Sequence, residues 1–256
     1  MERWSGKVAI VTGASAGVGR AVAERLAKEG VIVAGLARRK EKMNELAATL
    51  KGCKGAFHPI QADITKEEDI IKAFQYIIEN LGPIHILINN AGISRISPLS
   101  IGKTEDWNLI MDTNVMGLGI ATREALQNMY LNKVDGHIIH VSSITGHNLA
   151  QNPNAFSGAS KAAVTSLAES LRIELNRRNS KIKISCISPG YIDTEIMDIV
   201  RETNQNPAIQ KYLDSFKMIN PPLLPEDMAD SILYMLAAPP NVNVYDIIIR
   251  PVGEVL

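Results

Sequence analysis

The chain has 256 residues, of which 46% are hydrophobic and 21% charged, with 4 Phe, 6 Tyr and 2 Trp. That length suits one large domain or at most two small ones, and the composition is too apolar for a disordered chain. The 27 basic and 27 acidic side chains cancel, which argues against nucleic acid or an anionic membrane surface as a partner held by bulk charge.

No apolar run approaches the ~20 residues that span a bilayer. Met1 to Lys7 leads straight into a strand-like stretch, so neither a signal peptide nor a transmembrane segment is expected. Cys53 and Cys186 lie far apart without metal-ligand spacing; reduced thiols in a cytoplasmic protein are the expectation.

Lys7–Thr12 is a short run rich in β-branched residues, the pattern of a strand buried on both faces. Glycines then mark a turn, and Val18, Val22 and Leu26 fall on one face of a helix reaching Glu29. A second strand is expected over Val31–Leu36, a helix near Lys40–Lys51, a strand near Ala56–Gln61 and a helix near Lys66–Leu81. Ile84–Asn89 reads as a strand, followed by a long helix from about Thr104 to Asn132. Gly136–Ser142 and Lys181–Ser188 read as strands flanking a helix over Asn154–Asn179, and Val244–Ile249 as the last strand. Seven strands alternating with helices, without a Pro/Gly/Ser-rich linker, predict a single-domain α/β doubly wound parallel sheet of the Rossmann type. The stretch Glu195–Pro225, with prolines at 207, 221, 222 and 225, reads as irregular. It follows the sixth strand, so it would overhang the crevice where such sheets bind ligands, as a substrate lid or as a plain surface excursion.

Thr12-Gly13-Ala14-Ser15-Ala16-Gly17-Val18-Gly19 places three glycines between a strand and a helix. Such a turn lets the chain reverse, lets backbone approach a pyrophosphate, and lets the helix pack on the sheet. It also sets phosphates against free N–H groups at the helix's positive end. The spacing G-x-x-x-G-x-G differs from the commonest dinucleotide fingerprint, but the strand before and helix after supply its context. Beyond the second strand no acidic residue stands ready for a ribose 2′-hydroxyl; Arg38 and Arg39 follow instead. A guanidinium suits a 2′-phosphate, so NADP(H) is expected over NAD(H), with Arg38 the favoured contact.

These motifs, with Asp63, Asn89-Asn90-Ala91-Gly92, Asn114-Val115-Met116-Gly117, Ser142-Ser143, Lys161 and Pro189-Gly190, occur in an order and spacing that resembles the classical short-chain dehydrogenase/reductases over essentially the full length. Within them, Met1-Glu2-Arg3-Trp4, Gly136-His137-Ile138-Ile139 and Cys186-Ile187-Ser188-Pro189-Gly190 look like the animal farnesol dehydrogenase and 17β-hydroxysteroid dehydrogenase type. The resemblance implies hydrophobic alcohol or carbonyl substrates, such as isoprenoids, steroids or retinoids. It implies that Gly13, Ser15, Gly17, Val18 and Gly19 hold the cofactor phosphates and that Asp63 and Ile64 border the adenine. It also implies that Asn89, Ala91 and Gly92 line the cofactor, and that Pro189, Gly190, Ile192 and Thr194 close over the nicotinamide carboxamide. The asparagines carry a structural alternative, tying adjacent strand ends together. A homodimer or homotetramer through the two long helices is likewise implied.

The family's chemistry uses Asn, Ser, Tyr and Lys, of which Asn114, Ser143 and Lys161 match. Tyrosine exchanges a proton with the substrate oxygen, serine holds that oxygen, lysine binds the nicotinamide ribose and lowers the tyrosine pKa, and asparagine holds a relay water. The tyrosine should stand one helical turn before the lysine, but that position is Ser157. Phe156 is adjacent, carries no hydroxyl, and stands five residues before Lys161. An aliphatic hydroxyl is not tuned toward neutrality as a phenol is, and losing a positioned general acid costs about 10²–10⁴ in rate. Lys161 through a water, Tyr191 and His147 are the candidate surrogate proton donors, with a packing contact over the cofactor the alternative for Tyr191 and a solvated loop residue that for His147. Three readings follow: an impaired or rescued NADP(H)-dependent oxidoreductase, a non-redox cyclase or isomerase using Asn114, Ser143 and Ser157 as oxyanion donors, and a catalytically silent binding protein.

Overall fold

The computed structural model describes residues 1–147, 155–202, 206–215 and 221–254. Seven parallel strands form one sheet, β1 (Val8–Thr12), β2 (Ile32–Ala37), β3 (Ala56–Gln61), β4 (Ile84–Asn89), β5 (His137–Val141), β6 (Lys183–Pro189) and β7 (Asp246–Ile249). Their order is β3-β2-β1-β4-β5-β6-β7. The order reverses between β1 and β4, so the carboxyl ends of these two neighbours open the crevice. The expected Rossmann-type sheet is the observed one.

Alternate strand residues feed two cores. Ala9 and Val11 join Val22 and Leu26 of α1 (Gly17–Lys28), Met43 and Leu46 of α2 (Lys40–Thr49), and Met228, Ile232 and Leu236 of α9 (Pro225–Ala237). Val8 and Ile10 join Ile70, Phe74 and Ile77 of α3 (Glu67–Asn80), with Ala121, Ala125 and Met129 of α5 (Gly117–Leu131) and Ala168, Leu171 and Leu175 of α6 (Ala155–Arg177). A short 3₁₀ turn over Glu2–Trp4 is pinned to the end of α9, because Arg3 Nη2 and Trp4 Nε1 each donate to Leu236 O at 2.8 Å.

Three expectations are corrected. The helix predicted from Thr104 to Asn132 is α4 (Thr104–Met111), a π-helical segment over Asp112–Met116, and α5. The stretch over Glu195–Pro225 is not irregular throughout: it contains α7 (Glu195–Glu202) and α8 (Pro207–Ser215). Residues 203–205 and 216–220 of that stretch, and Asn154 at the expected start of α6, lie outside the described residues. The last strand is shorter than expected, beginning at Asp246.

Candidate active site

The glycine turn is built by a division of labour among its three glycines. Gly13, at φ +71°, makes the reversal after β1, and Gly17, at φ +52°, starts α1. Gly19 has an ordinary backbone, but a Cβ there would stand 2.9 Å from the Gly13 carbonyl carbon and run into both its oxygen and the Asn90 amide. The turn is fastened to β4. Asn90 Nδ2 donates to Thr12 O at 2.9 Å, and the Asn90 and Ala91 amides both donate to Thr12 Oγ1 at 3.0 Å.

Bare backbone remains at the front of α1. Its cap position is Ala16, no side chain caps it, and its first turn carries no acidic residue. Amides left free at a helix N-terminus, beside glycines that keep side chains away, fit the phosphates of a dinucleotide.

Two cationic residues flank the turn differently. Arg39 reaches back to Ser15, with Nη2 and Nε at 3.2 and 3.4 Å from its Oγ. Arg38 faces the end of β3, lining a cleft with Gln61, Ala62, Asp63 and Lys66. Although burial works against it, hydrogen bonds from Thr65 and the charges of Arg38 and Lys66 hold the Asp63 carboxyl below its usual range. Ile64 packs its carbonyl against Gly117 at the start of α5.

At the end of β4 the two asparagines turn apart. Asn89 Nδ2 donates to Thr122 Oγ1 of α5 at 2.9 Å, while Asn90 ties β4 to β1. The strand-tying alternative thus describes Asn90, and Asn89 anchors a helix. Val18 is buried in the core of α1, and Gly92 borders the crevice, where a Cβ would lie 3.4 Å from both Lys161 Nζ and Asn114 Oδ1.

Asn114 sits in the π segment with both ends of its amide engaged. Oδ1 accepts from Ile93 N at 2.8 Å, and Nδ2 donates to Ile93 O at 3.0 Å and Ser160 Oγ at 2.9 Å. Lys161 donates from Nζ to Val141 O at 2.8 Å, and burial pushes its ammonium down to about 8. Ser143 caps the 3₁₀ turn after β5, accepting from Thr145 N at 3.2 Å.

Ser157 is buried one turn before Lys161, and its hydroxyl is committed to the segment beyond Gly92. It accepts from Arg95 N at 3.2 Å and from Ser94 Oγ at 3.3 Å, and it donates to Arg95 O at 3.4 Å. Phe156 stacks on Trp107 of α4 with ring centroids 4.6 Å apart, which fixes the helix register with Ser157 facing the Ser94–Arg95 backbone. Of the two expected surrogates besides Lys161, the imidazole is engaged and the phenol is shifted further from neutrality. His147 Nε2 is 2.8 Å from Ser188 Oγ, and burial with the Asp193 charge pushes the Tyr191 hydroxyl above its usual range.

Pro189 ends β6 beside Ile249, and Gly190 N donates to Ile249 O at 2.7 Å. Ile192 bridges to Leu223, and the Thr194 methyl rests 3.3 Å from where a Gly17 Cβ would stand. The segment after β6 therefore lies against the glycine turn.

A family model for short chain dehydrogenase matches residues 7–205 of this chain. The chain belongs to the short-chain dehydrogenase/reductase family. A farnesol dehydrogenase of Aedes aegypti is 40% identical over 258 residues, covering 99% of each chain. Among solved structures, the closed form of a serine dehydrogenase complexed with NADP+ shares 28% identity and a TM-score of 0.84, covering 96% of each chain. A short-chain dehydrogenase/reductase from Burkholderia phymatum in complex with NAD shares 26% identity and a TM-score of 0.84, covering 97% of this chain and 90% of that one. As a member of this family of dehydrogenases and reductases the chain is an oxidoreductase, on a fold that binds a nicotinamide cofactor.

Sequence reasoning anticipated strand-tying by the asparagines but missed Thr12 as its partner, Ser94 and Arg95 as partners of Ser157, and Glu195 beside Arg39. Thr12 opens the glycine motif itself and could have been found there. Ser94, Arg95 and Glu195 meet partners 62 to 156 residues away, which no local pattern signals.

Proposed function

We propose that this short-chain dehydrogenase/reductase is an NADP(H)-dependent oxidoreductase of hydrophobic alcohols or carbonyls, slowed at proton transfer because Ser157 replaces a phenol. The cofactor reading is carried by Arg38 and Arg39 after β2, with Arg39 set over Ser15 of the glycine turn. A guanidinium there pairs with a ribose 2′-phosphate through charge-assisted hydrogen bonds. Gly13, Gly17, Val18 and Gly19 take the pyrophosphate side, and Asp63 and Ile64 the adenine side. Ala91, Gly92, Pro189, Gly190, Ile192 and Thr194 frame the nicotinamide side, with Asn89 bracing the strand end behind them. Bound there, the nicotinamide ring supplies or takes up the hydride.

The protein's own share of the reaction is polarising the substrate oxygen and moving a proton. Ser143 orients that oxygen, and Asn114 fixes the π segment and the Ile93 backbone beside it. Ser157 offers no group that ionises near neutrality, and its hydroxyl is already spent on Arg95 and Ser94. Lys161 is then the titratable group at the crevice, reaching the substrate oxygen through water. A hydrophobic substrate class follows from likeness to the farnesol dehydrogenase, and the protein is proposed to be cytoplasmic and to act as a homodimer or homotetramer.

The test is NADPH oxidation with farnesal-like aldehydes and steroid ketones, comparing the native chain with Ser157→Tyr. The variant is expected to reduce at least one of them about 10²–10⁴ times faster, the usual contribution of a positioned general acid. A variant no faster than the native chain on every carbonyl overturns the assignment of slow proton transfer to Ser157.

A further inference from the structure

The crossing from β6 carries an anion to the edge of the glycine turn. Glu195 opens α7 directly after Thr194, and its carboxylate is divided between two cations of the opposite wall. Oε2 accepts from Arg39 Nη1 at 2.9 Å, and Oε1 accepts from Lys42 Nζ at 2.6 Å. The same Arg39 guanidinium turns its remaining nitrogens to Ser15 Oγ. One side chain therefore spans the turn that faces a dinucleotide and the first residue of the segment overhanging it. Lys42 and Arg39 hold the Glu195 carboxyl below its usual range, so it stays anionic at neutral pH. The three side chains are 40 to 46% exposed, and ion pairs so open to water exchange partners at little cost.

We infer that Glu195 sets the discrimination between phosphorylated and unphosphorylated dinucleotides by competing with the ribose 2′-phosphate for Arg39. The inference rests on the NADP(H) reading above. A 2′-phosphate reaching Arg39 either displaces the carboxylate from Nη1 or sits beside its negative charge. A ribose with a free 2′-hydroxyl leaves the pair intact. Glu195 thus weakens binding of the phosphorylated form alone. It also couples binding to the overhanging segment, because releasing Arg39 removes one of the two ion pairs that Glu195 of α7 makes with the opposite wall.

The two forms are separable with half-molecules: 2′,5′-ADP carries the 2′-phosphate and 5′-AMP does not. Calorimetric titration of the intact protein with each is the measurement. Glu195→Gln is expected to tighten 2′,5′-ADP by about two- to fivefold, the range of one exposed ion pair, and to leave 5′-AMP unchanged. In an Arg39→Gln background the same substitution should move neither. An unmoved ratio of the two affinities, or an equal change in both, overturns the role of Glu195. Native protein binding 2′,5′-ADP no more tightly than 5′-AMP defeats the NADP(H) reading instead. In that event a ratio raised by Glu195→Gln still supports the competition, and an unmoved ratio ends both.

Discussion

Lys161 and Ser157 stand one turn apart on α6, and only the lysine can change charge near neutrality. Its ammonium, lowered by burial to about 8, is mostly protonated at pH 7 and loses its proton as pH rises through that value. Carbonyl reduction by the native chain is therefore expected to fall tenfold for each pH unit above about 8, once the proton source is titrated away. A profile flat from pH 7 to 9.5 removes Lys161 from that role. The missing phenol was legible in the sequence, because Ser157 to Ala163 keeps the family pattern at every residue but the first. The engagement of the serine with Ser94 and Arg95 was not, since it depends on how the segment after β4 folds over the start of α6.

Between β1 and α1 the chain leaves almost no tolerance. A methyl on Gly19 would meet backbone at Gly13 and the side chain of Asn90, the group that fastens β1 to β4. Gly19→Ala is expected to cost about 1–3 kcal/mol, the usual penalty of overpacking, and to weaken dinucleotide binding with it. An unchanged denaturation midpoint would show that the turn gives way more easily than its packing suggests. At this scale strands and crossover helices were readable from apolar runs and glycine punctuation. The π segment was not: the apolar spacing from Thr104 to Asn132 runs on regardless of an interruption. What marks it is Asn114, whose amide grips Ile93 and Ser160 from inside the widened turn.

Across the whole molecule, two buried histidines of β5 contribute to acid lability. Burial holds His137 and His140 down to about 3, helped by the charges of Lys183 and Lys161 respectively. Unfolded, both would take up protons near pH 6.5, so the unfolded state binds more protons between that value and about 3. Stability is then expected to fall as pH drops below 6.5, by at most about 1.4 kcal/mol per pH unit for each histidine. A melting temperature constant from pH 7 to 4.5 would contradict this. The outward faces of α5 and α6 leave Tyr130 and Leu167 exposed, the place for the proposed self-association. The pinning of Trp4 and Arg3 to Leu236 has a consequence in time as well as in space. The face of the sheet that α1 covers is shared with α9, so the first helix made waits for the last. A growing chain keeps the part of α1 that packs on α9 uncovered until Ala237 has been synthesised. Nascent chains ending before Pro225 should therefore be sticky and protease-sensitive, however complete their nucleotide-binding motifs.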